Sequence, residues 1–269
     1  DGKILDKTST PTPETLEDLL AWLDQRLSEQ DYRGIAMSVP GAVNQETGEI
    51  EGISAIPYIH GFSWYQVLAH HQLPVHLEND ANCVGLSELL AHPETENAAC
   101  VVIGTGIGGA MIINGKLHRG RHGLGGEFGY MTTLAPTEKL NNWSQLASTG
   151  NMVRYVIEKS GQTDWDGRKI YQEAVAGNTL CQEAIERMNR NLAQGLLNIQ
   201  YLIDPDVISL GGSISQNPEF IKGVQKAVDA FVERYEEYTI APVIQACTYQ
   251  ADANLYGALV NWLQEENQW

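Results

Sequence analysis

The chain has 269 residues, of which 43% are hydrophobic and 19% charged. That is long enough to bury a core in one large domain or two lobes, and the balance excludes long disorder, collagen-like repeats and coiled coil. Lys and Arg total 17 against 34 Asp and Glu, for a net charge of −17, a field that repels polyanions and argues against nucleic acid as a partner.

Four separated cysteines, Cys83, Cys100, Cys181 and Cys247, form no CxxC pair, so no zinc knuckle or thioredoxin-like motif is readable and a reducing cytoplasm is expected. No apolar run approaches the ~18 to 20 residues of a membrane span, and the first residues lack the regions of a signal peptide. No membrane partner is expected.

Asp1-Gly2 reads as a hairpin turn followed by a strand over Lys3 to Asp6, whose preceding partner strand is expected upstream. Thr12-Pro13-Glu14 supplies a Thr cap and a Pro at the first helical position, and Leu16, Leu19, Leu20, Leu23 and Leu27 recur at helical spacing. A strand over Gly34 to Val39 ends in Pro40-Gly41, and Asn44 to Gly48 is a turn between two extended pieces. Trp64 to His71 is predicted helical, Val75 to Glu78 a strand and Ala81 to Leu90 a helix.

A second run opens with the apolar strand Ala98 to Ile103, stopping at Gly104-Thr105-Gly106. Gly109 to Ile113 and Lys116-Leu117 flank Asn114-Gly115, a strong two-residue hairpin signal because both positions tolerate positive φ. Helices are predicted over Trp143 to Lys159, Arg168 to Ala176 and Thr179 to about Tyr201, and from Pro218. Strands are predicted over Val207 to Leu210 and Val243 to Ala246, and a closing helix over Ala253 to Gln264. The pattern implies two α/β lobes, residues 1–95 and 96–252, hinged near His92 to Asn97, with 253–269 returning to the first lobe. A ligand would bind in the cleft between them.

Four segments can carry chemistry. Gly104-Thr105-Gly106-Ile107-Gly108-Gly109 follows a buried strand, where glycines let main-chain amides approach an oxyanion; a tight Gly-rich hairpin is the alternative. Neither the P-loop nor the dinucleotide fingerprint fits, because no Gly-Lys-Ser/Thr follows and the next element is a strand. Glu78-Asn79-Asp80 ends a strand where a helix begins: Asp80 is either a helix cap or a general base, and Asn79 offers a donor and an acceptor to a sugar hydroxyl. Gly123 to Tyr130 is a glycine-rich loop around Glu127, either a site loop or a flexible turn with a solvated Glu. Arg119 and Arg121 before it read as surface-paired, and His60, His70, His71, His76 and His92 show no metal-ligand spacing. Leu210-Gly211-Gly212 ends a buried strand and permits close approach by a flat ring such as adenine.

Taken in order, Ser38 to Val43, Glu78 to Asn82, Gly104 to Gly109, Asn114 to Leu117, Gly126 to Gly129 and Leu210 to Gly212 resemble the ROK family of sugar kinases and sugar-responsive repressors. The resemblance implies a two-lobed, actin-like ATPase fold of the hexokinase type, with the active site between the lobes. It also implies transfer of the γ-phosphoryl group of ATP, with Mg²⁺, to a hydroxyl of glucose, N-acetylmannosamine or a β-glucoside.

By the same resemblance Asp80 is the catalytic base, Asn79, Glu127 and Gly41 contact the sugar, Gly104, Thr105 and Gly106 meet phosphate, and Gly211 and Gly212 meet adenosine. A homodimer is the implied assembly. The chain departs from the pattern in lacking the first Asp-x-Gly-Gly-Thr phosphate loop, and in carrying Tyr130 where many members have His. It has no Cys-x-Cys-Gly-x-x-Gly-Cys zinc motif, so no structural zinc is expected, and a second sugar-binding Glu is replaced near Ser144. The alternative within the family is a sugar-sensing or sugar-binding protein without turnover.

Overall fold

The computed structural model describes residues 2–52, 54–133 and 141–268. Residues 2–14 contain no regular element. Gly2 has the positive φ expected of a turn, but Lys3 to Asp6 joins no ladder, since a strand forms only where a partner edge accepts its hydrogen bonds. Helix α1 spans Leu16–Leu27. Its cap is Thr15, three residues after the Thr expected, with Thr15 Oγ1 accepting from the Asp18 amide at 3.2 Å. Pro13 instead offers its carbonyl to the Tyr58 hydroxyl, which holds residue 13 outside the helix.

Strand β1 (Ile35–Val39) pairs in parallel with β4 (Val75–Asn79), and between them come the hairpin β2 (Ala42–Asn44) with β3 (Glu49–Glu51) and the short helix α2 (Trp64–Val67). The helically spaced leucines of α1 pack against the buried cluster of Ile35, Val39, Ile50, Trp64, Leu68 and Leu77. Helix α3 (Asp80–Ala91) follows β4 with no intervening loop.

Five further strands form a mixed sheet in the order β11-β10-β5-β6-β7, where β5 is Ala98–Ile103, β6 Ile107–Ile113, β7 Lys116–Leu117, β10 Val207–Gly211 and β11 Ile244–Ala246. Asn114 and Gly115 have φ of 53° and 69°, as the hairpin signal predicts. Strands β8 (Thr132–Thr133) and β9 (Asn141–Asn142) pair separately. The predicted helix over Trp143 to Lys159 is two helices, α4 (Trp143–Ala147) and α5 (Thr149–Ser160), broken at a fully buried Ser148 whose extended backbone and side chain cap the second.

Helices α6 (Gly167–Val175), α7 (Thr179–Ile203) and α8 (Pro218–Arg234) cover the large core around Trp143, Ile170, Leu196 and Phe220. Helix α9 (Ala253–Glu265) packs against α3, β1 and β4, while α3 also packs on β5 and β6. The stretch His92 to Asn97 is fastened rather than slack: the amides of Glu96 and Asn97 donate to Asp206 Oδ2 at 3.2 and 2.9 Å, and the Gly115 amide donates to the Glu96 carbonyl. No helix among the described residues is long and apolar enough to cross a membrane.

Candidate active site

A cleft of about 490 Å³ opens where β5, β6 and α3 converge, lined by Asp80, Gly104, Gly106, Glu127, Tyr130 and Ser144 among others. Three consecutive residues at the junction of β4 and α3 have separate tasks, and of these only Asp80 lines the cleft. Asn79 is the helix cap: its Oδ1 accepts from the amides of Ala81 and Asn82 at 2.9 and 3.1 Å, and its Nδ2 donates to the Gly41 carbonyl at 3.0 Å.

Of the two readings of Asp80, this removes the helix cap, because the helix predicted from Ala81 begins one residue earlier and Asn79 caps it. Asp80 instead projects into the cleft, accepting from the Ala81 amide at 2.8 Å, and the protein around its base desolvates it and raises its carboxyl pKa despite the open side and the backbone amides that oppose the shift.

Glu78, 1% exposed, turns the other way. Its Oε1 accepts from the Asn79 amide and from Asn82 Nδ2 at 2.8 and 2.9 Å, and its Oε2 accepts from Arg119 Nε at 2.6 Å. Arg119 also donates to Asn261 Oδ1 of α9 at 2.8 Å. The surface pairing expected of Arg119 is therefore wrong: a fully buried carboxylate draws the guanidinium inward, because an unpaired charge there would be costly.

The loop around Glu127 is packed, not loose. Gly126, at φ 89°, lies so close to β6 that a Cβ would come within 2.8 Å of the Ala110 Cα, and a Cβ on Gly129 would sit 2.0 Å from the Ile107 carbonyl oxygen. Glycine at both positions lets the loop lie flush on the strand and holds half-buried Glu127 at the cleft. Burial, and then the charge of Asp80, raise the Glu127 pKa. Tyr130 presents its ring to the cleft, 72% exposed.

Gly104, Thr105 and Gly106 are exposed in the turn between β5 and β6. Gly104 closes the turn on the Gly106 carbonyl at 2.9 Å, and the amides of Thr105 and Gly106 meet no acceptor among the described residues. Ser144 does not face the cleft freely: its Oγ accepts from the Ile107 amide at 2.9 Å and donates to the Ile107 carbonyl at 3.2 Å, pinning the end of the turn.

Gly211 and Gly212 stand behind that turn, where a Cβ on Gly212 would come within 2.1 Å of the Ile103 carbonyl oxygen and one on Gly211 within 3.4 Å of Val84 and Val102 of the cleft wall. Close strand packing thus already requires small residues there. Of the expected site residues, Asp80, Glu127, Gly104 and Gly106 line the cleft, Thr105 shares their turn, Asn79 precedes Asp80 and is hydrogen-bonded to the Gly41 carbonyl without lining the cleft, and Gly211 and Gly212 pack against its wall.

Asn254 at the start of α9 also lines the cleft and carries no motif that would reveal it. All four cysteines are buried and free. Part of the stretch where a zinc motif would fall, 134–140, lies outside the described residues. Away from the cleft, Asp24, His70 and His71 come together, which their spacing along the chain does not reveal.

A family model described as the ROK family matches residues 1–265. The chain is similar to the β-glucoside kinase of Listeria monocytogenes, 34% identical over 274 aligned positions covering 98% of this chain and 91% of that protein. It is 89% identical to a ROK family protein from Streptococcus pneumoniae solved in complex with sucrose, with a TM-score of 0.96 over 99% of this chain and 92% of that one. A ROK hexokinase from Thermus thermophilus superposes with a TM-score of 0.84 at 27% identity, over 99% and 94% of the two chains.

Proposed function

Since the chain belongs to the ROK family, with that family's two-lobed, actin-like ATPase fold, we propose that it phosphorylates a hydroxyl of a glucose-containing disaccharide or β-glucoside at the expense of ATP, with Asp80 as general base. The reading rests on one juxtaposition: a desolvated carboxylate with no cationic partner among the described residues stands beside a turn with two exposed main-chain amides that meet no acceptor among them. The sucrose bound by the Streptococcus pneumoniae protein and the name of the Listeria enzyme support an acceptor larger than a monosaccharide. So does the small Ser144, tied back on Ile107, and the open ring of Tyr130, which offers a flat apolar surface to a sugar. We take residues 1–95 with 253–269 as one lobe and 96–252 as the other, and place the protein in the cytoplasm as a homodimer.

The residues fit a nucleotide phosphate: a side chain at Gly104 would project into open space of the cleft, and the Thr105 and Gly106 amides supply donors there. Mg²⁺, which binds mainly through nucleotide phosphates and one or two carboxylates, would find its protein oxygens on Asp80 or Glu127 and would neutralise charge on the transferred group. The chain's own part is positional. Asn79 fixes the first turn of α3, and with it the direction of Asp80. Asp80 accepts the proton of the attacking hydroxyl, Glu127 orients the sugar from the facing loop, and the amides of the 104–106 turn hold charge on the phosphoryl oxygens.

The test is ADP release by the protein with ATP, Mg²⁺ and a panel of cellobiose, sucrose, glucose and N-acetylmannosamine. Asp80→Asn should lower kcat on the best acceptor by about 10²- to 10⁴-fold, the range of a lost general base. In the parent, activity falls as pH drops through the Asp80 pKa, which lies above the ordinary aspartate value of about 3.9. A carboxyl whose pKa rises on folding favours the folded state in its protonated form, and this contribution is lost as pH rises through the folded pKa. The Asn variant should therefore be at least as stable as the parent at pH 7. Parent-level turnover by Asp80→Asn would remove Asp80 from the mechanism.

A further inference from the structure

We propose that Asp24, His70 and His71 form a reversible binding site for a borderline divalent transition metal such as Zn²⁺, Ni²⁺ or Co²⁺, clipping α1 to the turn after α2. Asp24 lies in the third turn of α1, while the two histidines close the 3₁₀ turn Ala69–His71. His70 Nε2 and His71 Nε2 approach the same oxygen, Asp24 Oδ1, at 3.2 and 2.8 Å, and one ligand atom from each residue lies within 4.8 Å of the others. Zinc bonds near 2.0 to 2.2 Å at tetrahedral angles place ligand atoms roughly 3.3 Å apart, so the three already stand near the edge lengths of a coordination shell.

The hydrogen bonding prepares the donors. His70 Nδ1 lies 3.0 Å from the Val67 carbonyl, which can only accept, so Nδ1 carries the proton. In the neutral ring Nε2 then bears its lone pair, and this faces a carboxylate oxygen, itself an acceptor. Two acceptors at 3.2 Å repel unless a cation stands between them. A proton would make that cation an imidazolium; a metal ion satisfies both lone pairs and the His71 nitrogen together. A backbone carbonyl on the far ring nitrogen is also the usual outer support of a metal-bound histidine.

The donor set, two imidazoles and one carboxylate, selects transition metals over Mg²⁺ or Ca²⁺, which prefer all-oxygen shells. The side chains of His70 and Asp24 are 57% and 48% exposed, so water completes the shell and the ion exchanges freely. This is a different kind of site from the closed cysteine cage that the sequence lacks. None of the three residues lines the cleft, so the ion would act on how α1 is held, not on phosphoryl transfer.

The test uses the protein without a polyhistidine tag, stripped with EDTA and dialysed, then titrated with Zn²⁺ by calorimetry and with Co²⁺ by visible absorption. Binding of one ion per chain is expected, with Co²⁺ bands stronger than those of the hydrated ion, and a rise in Tm with Zn²⁺ or Ni²⁺ but not with Mg²⁺. Loss of an outer partner alone weakens such sites by about 10- to 100-fold. His71→Ala, His70→Gln and Asp24→Asn should each therefore weaken binding by at least about tenfold, with turnover in the cleft unchanged. Parent affinity in all three variants, or no binding by the parent, would overturn the proposal and leave the cluster a proton-shared ion pair.

Discussion

Glu78, Asn79 and Asp80 show how adjacent polar residues divide labour by direction. Glu78 faces inward to Arg119, Asn79 binds the amides of the next turn, and Asp80 alone reaches the cleft. Arg119→Ala would leave the Glu78 carboxylate buried without its cation, which costs about 3 kcal/mol, at the lower end of the range for a broken buried pair because the guanidinium is 28% exposed. Denaturant unfolding at pH 7 measures this, and a loss below about 1 kcal/mol would show that water replaces the guanidinium. The motif itself was legible in the sequence; its division was not. Which residue caps depends on where the helix starts, a matter of one position. The partner of Glu78 lies 41 residues away in a segment whose arginines look like ordinary surface charge.

Helix α9 approaches α3 so closely that a Cβ on Gly257 would lie 1.7 Å from the Cys83 carbonyl oxygen. In an exposed helix Gly→Ala is a gain of roughly 1 kcal/mol. Here Gly257→Ala should reverse that sign and destabilise by about 1 to 3 kcal/mol or more, since backbone must move to admit the methyl. A Tm at or above the parent's would contradict so close a crossing. Elements with a clear period were readable: the leucines of α1 repeat on one face, and Asn114-Gly115 announces its hairpin. Helix α3 was readable only in outline, because it packs against α9 on one side and β5 and β6 on another, so polar residues such as Asn82, Ser87 and Glu88 are buried along with its apolar ones. The break between α4 and α5 depends on burial of Ser148, which no local pattern encodes.

At the scale of the molecule, order along the chain conveyed most of the architecture. Two runs of strands and helices, each with a hairpin, correspond to the β1–β4 layer and the five-stranded sheet. The cleft was legible as a place where strand ends and glycine turns converge. Its lining by Asn254, and the convergence of Asp24 with His70 and His71, were not, because both arise from contacts between segments 46 or more residues apart. On the proposed reading, the strongly negative chain, at −17, would receive an anionic phosphate where main-chain amides rather than basic side chains supply the donors.

The fastening of residues 92–97 has a consequence for how the molecule moves. Glu96 and Asn97, whose amides are tied to Asp206, whose carbonyls accept from the Gly115 and Asp206 amides, and where the Asn97 side chain accepts from the Asn114 amide, exchange their hydrogens slowly, because opening must break several bonds at once. Deuterium uptake followed by mass spectrometry should find Glu96 and Asn97 protected to nearly the same degree with and without ATP and sugar. Ligand-dependent protection should concentrate instead in the 104–106 turn and the 123–130 loop. Rapid labelling of Glu96 and Asn97 in the free protein would mean that this strap works as a hinge after all; slow labelling makes it a fixed pivot, with the cleft closing by bending of the elements around it.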